Sequence, residues 1–215
     1  MRRSTPDNPT RRHIQEEVAE LIGSGKLPIT FNVDMVADKI GRSRSLVYSI
    51  FGKGREGLLR GVLETGWAMV EDRLSVVSRG QKMSALEQLH AMVEVIFNAA
   101  FFDGRDRDRI VAWFLCRRGG GLDLSEAVIE EYKTLNRQVD ALLRAAASQS
   151  GRKRKLDPGT VAAVRGILLA AVDGSIWDIL LARRFRSYRP GFKADDVLKQ
   201  IHALINAFVD VLKKA

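Results

Sequence analysis

Between Asn32 and Phe51 the chain reads NVDMVADKIGRSRSLVYSIF, two apolar stripes of helical period interrupted by one glycine. No other stretch narrows the fold so far. Asn32 suits the position before a helix, because its side-chain oxygen can accept from the free N–H groups of the first turn. Val33, Val36, Ala37 and Ile40 then recur at helical spacing and form one stripe. Gly41 ends that helix, since glycine takes a left-handed backbone without strain. Ser43 can cap a second helix, in which Val47, Ile50 and Phe51 share one face. The pattern predicts two short helices joined by a tight turn.

Placed at about 100° per residue, Ser45 and Ser49 point away from the buried face, with Arg44 and Tyr48 on one flank and Leu46 on the other. A helix of this kind can enter the major groove. Arg44 can pair with guanine, Ser45 and Ser49 can bond to several bases, and Leu46 can touch a thymine methyl. Tyr48 can reach a phosphate. Between Lys39 and Arg60 stand six basic residues (Lys39, Arg42, Arg44, Lys53, Arg55 and Arg60) against one acid, Glu56, in a chain of net charge +9. That balance favours a polyanionic partner, double-stranded DNA first. The plainer alternative is a helical hairpin with a solvated basic face.

The remaining composition sets limits. With 215 residues, 46% of them hydrophobic, the chain can bury one large core or two small ones. Five prolines and little β-type alternation favour an all-α fold. The single cysteine, Cys116, excludes an intrachain disulfide, fits a cytoplasmic setting, and reads as a packed thiol on an apolar segment. The start, MRRSTPDNPTRR, lacks the apolar core of a signal peptide. No stretch is expected to cross a membrane, because the run Ile167–Val172 stops at Asp173.

In chain order, residues 1–10 are expected to be a disordered arm, basic through Arg2, Arg3, Arg11 and Arg12. A first helix should run from about Arg11 to Ile22. An extended link then delivers Asn32, whose helix N-terminus can hold a phosphate. A fourth helix should continue to about Arg79, its residues Leu58, Leu59, Val62, Leu63 and Trp67 covering the two short helices from behind. Further helices are expected over 83–102, 110–117, 124–150, 160–185 and 194–213. Phe97, Phe101, Phe102, Trp113, Phe114, Tyr132 and Trp177 can line an apolar pocket for a small molecule, with Asp173 and Asp178 as a polar handle for a cationic ligand, or can be ordinary core. The last two stripes can pack on each other or pair with a second copy.

No constellation for catalysis is expected. His13, His90 and His202 are scattered, with no partner at metal-ligand spacing. Asp103, Asp106 and Asp108 alternate with arginines that would repel a calcium ion. Gly119–Gly121 follows no strand and precedes no Lys-Ser/Thr, so it reads as a loop and not a phosphate cradle. Neither a metal nor another cofactor is expected.

The segment from Ile14 to Leu63 resembles the DNA-binding domain of the TetR (tetracycline-repressor-like) family of bacterial transcriptional regulators. The resemblance rests on Ile14 and Leu21, then FNVDMVADKIG, SLVYSIF and EGLLRGVLE; Val36–Ala37, Gly41, Ser43, Val47–Tyr48, Phe51 and Leu58–Leu59 match the family pattern. Arg42, Leu46 and Ile50 depart from it. One extra residue before Leu58 leaves Lys53 or Arg55 in the place of the family's phosphate-binding lysine. The resemblance implies about nine helices: a three-helix helix-turn-helix domain over 1–56 and a helical-bundle ligand and dimerisation domain over 57–215. Arg44, Ser45, Leu46 and Ser49 would read bases, and Asn32, Ser43, Tyr48 and Lys53 or Arg55 would hold phosphates. The last two helices would form a homodimer bundle through Val164, Leu168, Val172, Ile201, Ile205, Phe208 and Leu212. A small-molecule effector would release a repressor from palindromic DNA. A DNA-binding protein without an effector, and a helical small-molecule binder without DNA, are the alternatives.

Overall fold

The computed structural model describes residues 8–52, 54–79, 83–101, 106–119, 125–148, 156–184 and 193–214. Among these, nine helices and no strand occur: α1 Pro9–Gly23, α2 Val33–Ile40, α3 Arg44–Phe51, α4 Arg55–Arg79, α5 Ala85–Phe101, α6 Arg107–Gly119, α7 Ser125–Ser148, α8 Pro158–Arg184 and α9 Ala194–Lys214. The all-α expectation holds. The chain forms two compact units, one of Met1–Asp72 with Phe102–Glu131, the other of Arg73–Phe101 with Tyr132–Ala215.

In the first unit α1 starts at Pro9, two residues earlier than expected. Asn8 Oδ1 accepts from the N–H groups of Thr10 and Arg11 at 3.0 and 3.2 Å, and proline at the first helical position loses no hydrogen bond. Residues 8–10 therefore belong to the fold and not to an arm; Arg2 and Arg3 lie outside the described residues. Arg11 also folds inward, its guanidinium 5.3 Å from the centre of the Phe51 ring and 3.6 Å from Glu64.

The two short helices end where the sequence says. Asn32 Oδ1 accepts from Met35 N–H at 2.8 Å, and Gly41 sits at φ 63°, ψ 34°. Ser43 Oγ accepts from Leu46 N–H at 3.3 Å. Val33, Val36, Ala37, Val47 and Phe51 are buried. Ile40 and Ile50, expected inside, are only half covered. Helices of eight residues cannot wrap the stripe fully around their neighbours.

α6 lies against α1. A Cβ on Gly23 would stand 1.8 Å from the carbonyl oxygen of Asp108, so the close approach requires glycine there. Arg109 of α6 reaches Glu20 at 2.7 Å and Glu16 at 3.4 Å on α1. Leu58, Leu59, Val62, Leu63 and Trp67 of α4 are buried, as are Trp113, Phe114 and Cys116 of α6. Burial pushes the Cys116 thiol up to about 12, against a weaker opposing pull from Arg55. It is inert packing. Of the Asp/Arg alternation, Arg107 pairs with Asp108 at 3.1 Å, while Arg109 serves the α1 contact instead. Asp103 lies outside the described residues.

In the second unit α5 opens with a capping box: Ser84 Oγ accepts from Glu87 N–H at 3.2 Å, and Glu87 Oε2 accepts from Ser84 N–H at 2.7 Å. Asp157 caps α8, its Oδ2 accepting from the Thr160 N–H at 2.7 Å and hydroxyl at 3.0 Å. That cap sets the start of α8 at Pro158, two residues before the expected Thr160. Arg165 on α8 is 2.5 Å from Asp140 on α7.

Two expectations are corrected here. Val164, Leu168, Val172, Ile201, Ile205 and Leu212 are at most 6% exposed in the single chain, so they close its own core instead of waiting for a partner. Phe208 alone of that set stays half covered. On these two helices the apolar residues left exposed are different ones, among them Ala163, Gly166, Ile167 and Ala170 on α8, and Ala203, Ala207 and Val211 on α9. Second, a helix long and apolar enough to cross a membrane by length and composition does exist, Pro158–Leu180. The sequence reading stopped at Asp173, but Asp173 and Asp178 do not end the apolar stretch, which continues through Ile176 and Ile179.

The scattered histidines are less scattered in space. His13 meets Glu17 at 3.3 Å. His90 and His202 face each other between α5 and α9.

Candidate nucleic-acid interface

α3 presents the face expected of it. Its inward residues Val47 and Phe51 anchor it on the buried side, and this rotation leaves Arg44, Ser45, Tyr48 and Ser49 exposed. Tyr48 is 49% exposed, and Leu46 is half covered. The hydroxyls are locally oriented. Ser49 Oγ–H donates to the Leu46 carbonyl at 2.8 Å, and Ser45 Oγ lies 3.3 Å from Ser43 Oγ. Each serine oxygen still has lone pairs for an outside donor.

Arg44 is held by a partner the sequence reading missed. Its Nη1 is 3.1 Å from Asp34 Oδ2 on α2. An acid in the first turn of α2 is a recognisable cap-region residue. The crossing of α2 and α3 that brings it to Arg44 is not written in any spacing along one helix.

Asn32 and Ser43 are exposed at the two helix starts, each using its side-chain oxygen for its own cap. The amide nitrogen of Asn32 remains a donor available to a phosphate. Lys39 and Arg42 are exposed on the same segment. Lys53 lies outside the described residues. Arg55 does not point outward: its Nε and Nη2 donate to the Ile29 carbonyl at 3.2 and 2.8 Å, and its guanidinium lies 5.8 Å from the centre of the Phe31 ring. It fastens the link before α2 to the start of α4.

The aromatic group divides between the units. In the first, Trp113 contacts Phe114 with ring centres 4.7 Å apart, and Trp67, which the sequence reading assigned to covering the short helices, lies 6.1 Å away. The Trp67 indole N–H is buried without an acceptor among the described residues. In the second, Phe97 and Phe101 stand 5.6 Å apart and are buried. Asp173 and Trp177 are half covered on α8. The Tyr132 side chain and Phe102 lie outside the described residues.

No family model matches the sequence, and no curated protein matches it either. Solved structures match in fold. The fatty acid degradation regulator FadR from Bacillus halodurans superposes with a TM-score of 0.66 at 16% identity, over 95% of this chain and 96% of that one. The TetR family transcriptional regulator PfmR from Thermus thermophilus gives 0.62 at 20% identity, over 89% and 96%. The ketosteroid transcriptional regulator KstR2 of Mycobacterium tuberculosis gives 0.60 at 18% identity, over 94% and 95%. At these identities the likeness is one of fold, and that fold is the all-helical one of TetR family regulators.

Proposed function

We propose that the chain is a cytoplasmic, non-enzymatic transcriptional regulator that binds palindromic operator DNA as a homodimer and is released from it by a small-molecule effector. The observation that carries the DNA reading is the outward face of α3, where one guanidinium, two serine hydroxyls and one phenol stand exposed on the second helix of a helix-turn-helix. Arg44, Ser45, Ser49 and Leu46 read bases. Asn32, Ser43, Tyr48 and Lys53 hold phosphates. Arg55 is left out of that set because its guanidinium is occupied within the fold. The division of labour follows the chain, with DNA binding in 1–56 and effector binding and dimerisation in 57–215.

Two reading heads on one duplex must stand roughly one turn apart, about 34–36 Å, which asks for a dimer. The open face of α8 and α9 supports that, with Ile167 56% and Val211 52% exposed. For the effector, the buried aromatic rings within each unit favour an apolar molecule. Two of the fold neighbours carry names tied to fatty acids and to ketosteroids. The near-complete burial of Phe97, Phe101, Trp113 and Phe114 also favours a second reading, a repressor with no effector whose rings are plain core.

The deciding experiment is a mobility-shift assay of the full chain against genomic fragments at two salt concentrations. A subset of fragments should be retained at the higher salt, and binding to the rest should be lost. Equal loss on all fragments would leave only unspecific polyanion binding. Repeating the assay with apolar and with cationic amphiphilic molecules separates the two repressor readings.

A further inference from the structure

α5 carries His90 and Glu94, and α9 carries His202 and Asn206. Each pair is four residues apart, so each lies on one helix face. The pairs cross over. Nδ1 of His90 meets Nδ1 of His202. Nε2 of His202 lies 3.2 Å from Glu94 Oε1, and Nε2 of His90 lies 3.0 Å from Asn206 Oδ1. All four ring nitrogens are engaged, and the imidazole centres are 4.6 Å apart.

We propose that this cluster is a proton-operated fastening between α5 and α9, intact with no added proton or one and opened by a second. The count of hydrogens decides it. A carboxylate only accepts, so His202 carries its hydrogen on Nε2. With both rings neutral, the hydrogen between the Nδ1 atoms must then come from His90. His90 Nε2 is bare, and Asn206 turns its amide to donate. One added proton makes His90 an imidazolium. It donates to His202 Nδ1 on one side and to Asn206 Oδ1 on the other. A second proton would place N–H groups on both facing nitrogens, and the contact must part.

The surroundings resist that second proton. Burial and the charge of His90 hold His202 below its ordinary value of 6.5, against the pull of Glu94. α8 packs on both helices. Its Arg165 is taken by Asp140 on α7, and its Asp173 and Asp178 are not among the groups acting on His202. On the fastened helices, Glu87 is tied to Ser84 and Asp210 to Lys213. The proposal stands on the geometry of the second unit and is independent of any role in DNA binding.

The test is side-chain 1H–15N NMR of the full chain through a pH titration, with the melting temperature followed in parallel. His202 should be an Nε2–H tautomer near pH 7.5, and its Nδ1 should take up a proton only below 6.5. Melting temperature should fall by about 2–4 °C as the pH drops from 6.5 to the midpoint at which His202 takes up its proton, and level off below it. The variant His202→Gln, which can still donate to Glu94, should lack that fall. If His202→Gln fails to fold, the wild-type titration decides alone. Two rings titrating together with one midpoint would overturn the proposal, as would a variant with the same pH dependence as wild type. So would a rise in melting temperature with micromolar Zn2+ that needs His202, because it would make the pair a metal site.

Discussion

At the scale of single residues, the α3 face poses a competition. Arg44 is bonded to Asp34, and a base read by Arg44, as proposed, would have to displace that carboxylate. Both side chains are largely exposed, so the pair contributes at most about 1 kcal/mol, less than the ~1–3 kcal/mol that a good Arg–guanine contact discriminates. On the proposed reading a base offering two acceptors would outcompete Asp34, and Asp34 would filter out weaker sites. Arg44→Ala should relax preference at one position per half-site by about 1–3 kcal/mol, and Tyr48→Ala should weaken binding to every sequence, both read by fluorescence anisotropy on matched and mismatched duplexes. Equal losses on specific and random DNA for Arg44→Ala would remove its base-reading role. Which α3 residues face outward was legible from 100° spacing, because Val47 and Phe51 fix the rotation. The Asp34 contact was not, since it depends on how two helices cross.

At the scale of elements, capping chemistry was the most readable signal and contact partners the least. Asn32, Gly41 and Ser43 placed α2 and α3 to the residue. α1 and α8 start two residues before their expected positions because Asn8 and Asp157 cap them, which apolar periodicity does not register. Asp157 is held below its ordinary 3.8 by its bonds to Thr160, and Glu87 below 4.5 by its bonds to Ser84. The sign follows: a carboxylate whose folded value is depressed contributes stability that is full above the ordinary value and lost as pH falls through the folded one. Stability should therefore decline below about pH 4, and Asp157→Asn, which keeps a capping oxygen, should make that acid limb shallower in urea titrations at pH 3 and pH 7. No spacing revealed that α1 and α6 touch through Gly23. Gly23→Ala forces its methyl into the Asp108 carbonyl, and a loss of about 1–3 kcal/mol is expected in urea unfolding. An unchanged midpoint would mean that the helices part freely.

At the scale of the whole molecule, the question is what covers α8. Sequence periodicity found its stripe and left its partner open; the resemblance gave Val164, Leu168 and Val172 to a second copy, whereas in the single chain they are buried in its own core. A period of 3.6 tells which residues share a face and is silent on whose surface lies opposite. The face left open is narrow and small, Ala163, Gly166, Ile167 and Ala170, with Val211 and Ala207 on α9. Small side chains let two helix backbones approach closely, which suits a second copy of the same helix pair. A bilayer is the competing occupant, because Pro158–Leu180 is apolar enough for it. Yet Val161, Val164, Leu168, Val172, Ile176 and Ile179 of that helix are already packed inside the unit, and a spanning helix would have to withdraw them. Ile167→Glu separates the two. A dimer should become a monomer in sedimentation velocity and lose affinity for a palindromic duplex while keeping its affinity for an isolated half-site. Loss of vesicle binding with an unchanged sedimentation coefficient would give the face to a membrane instead.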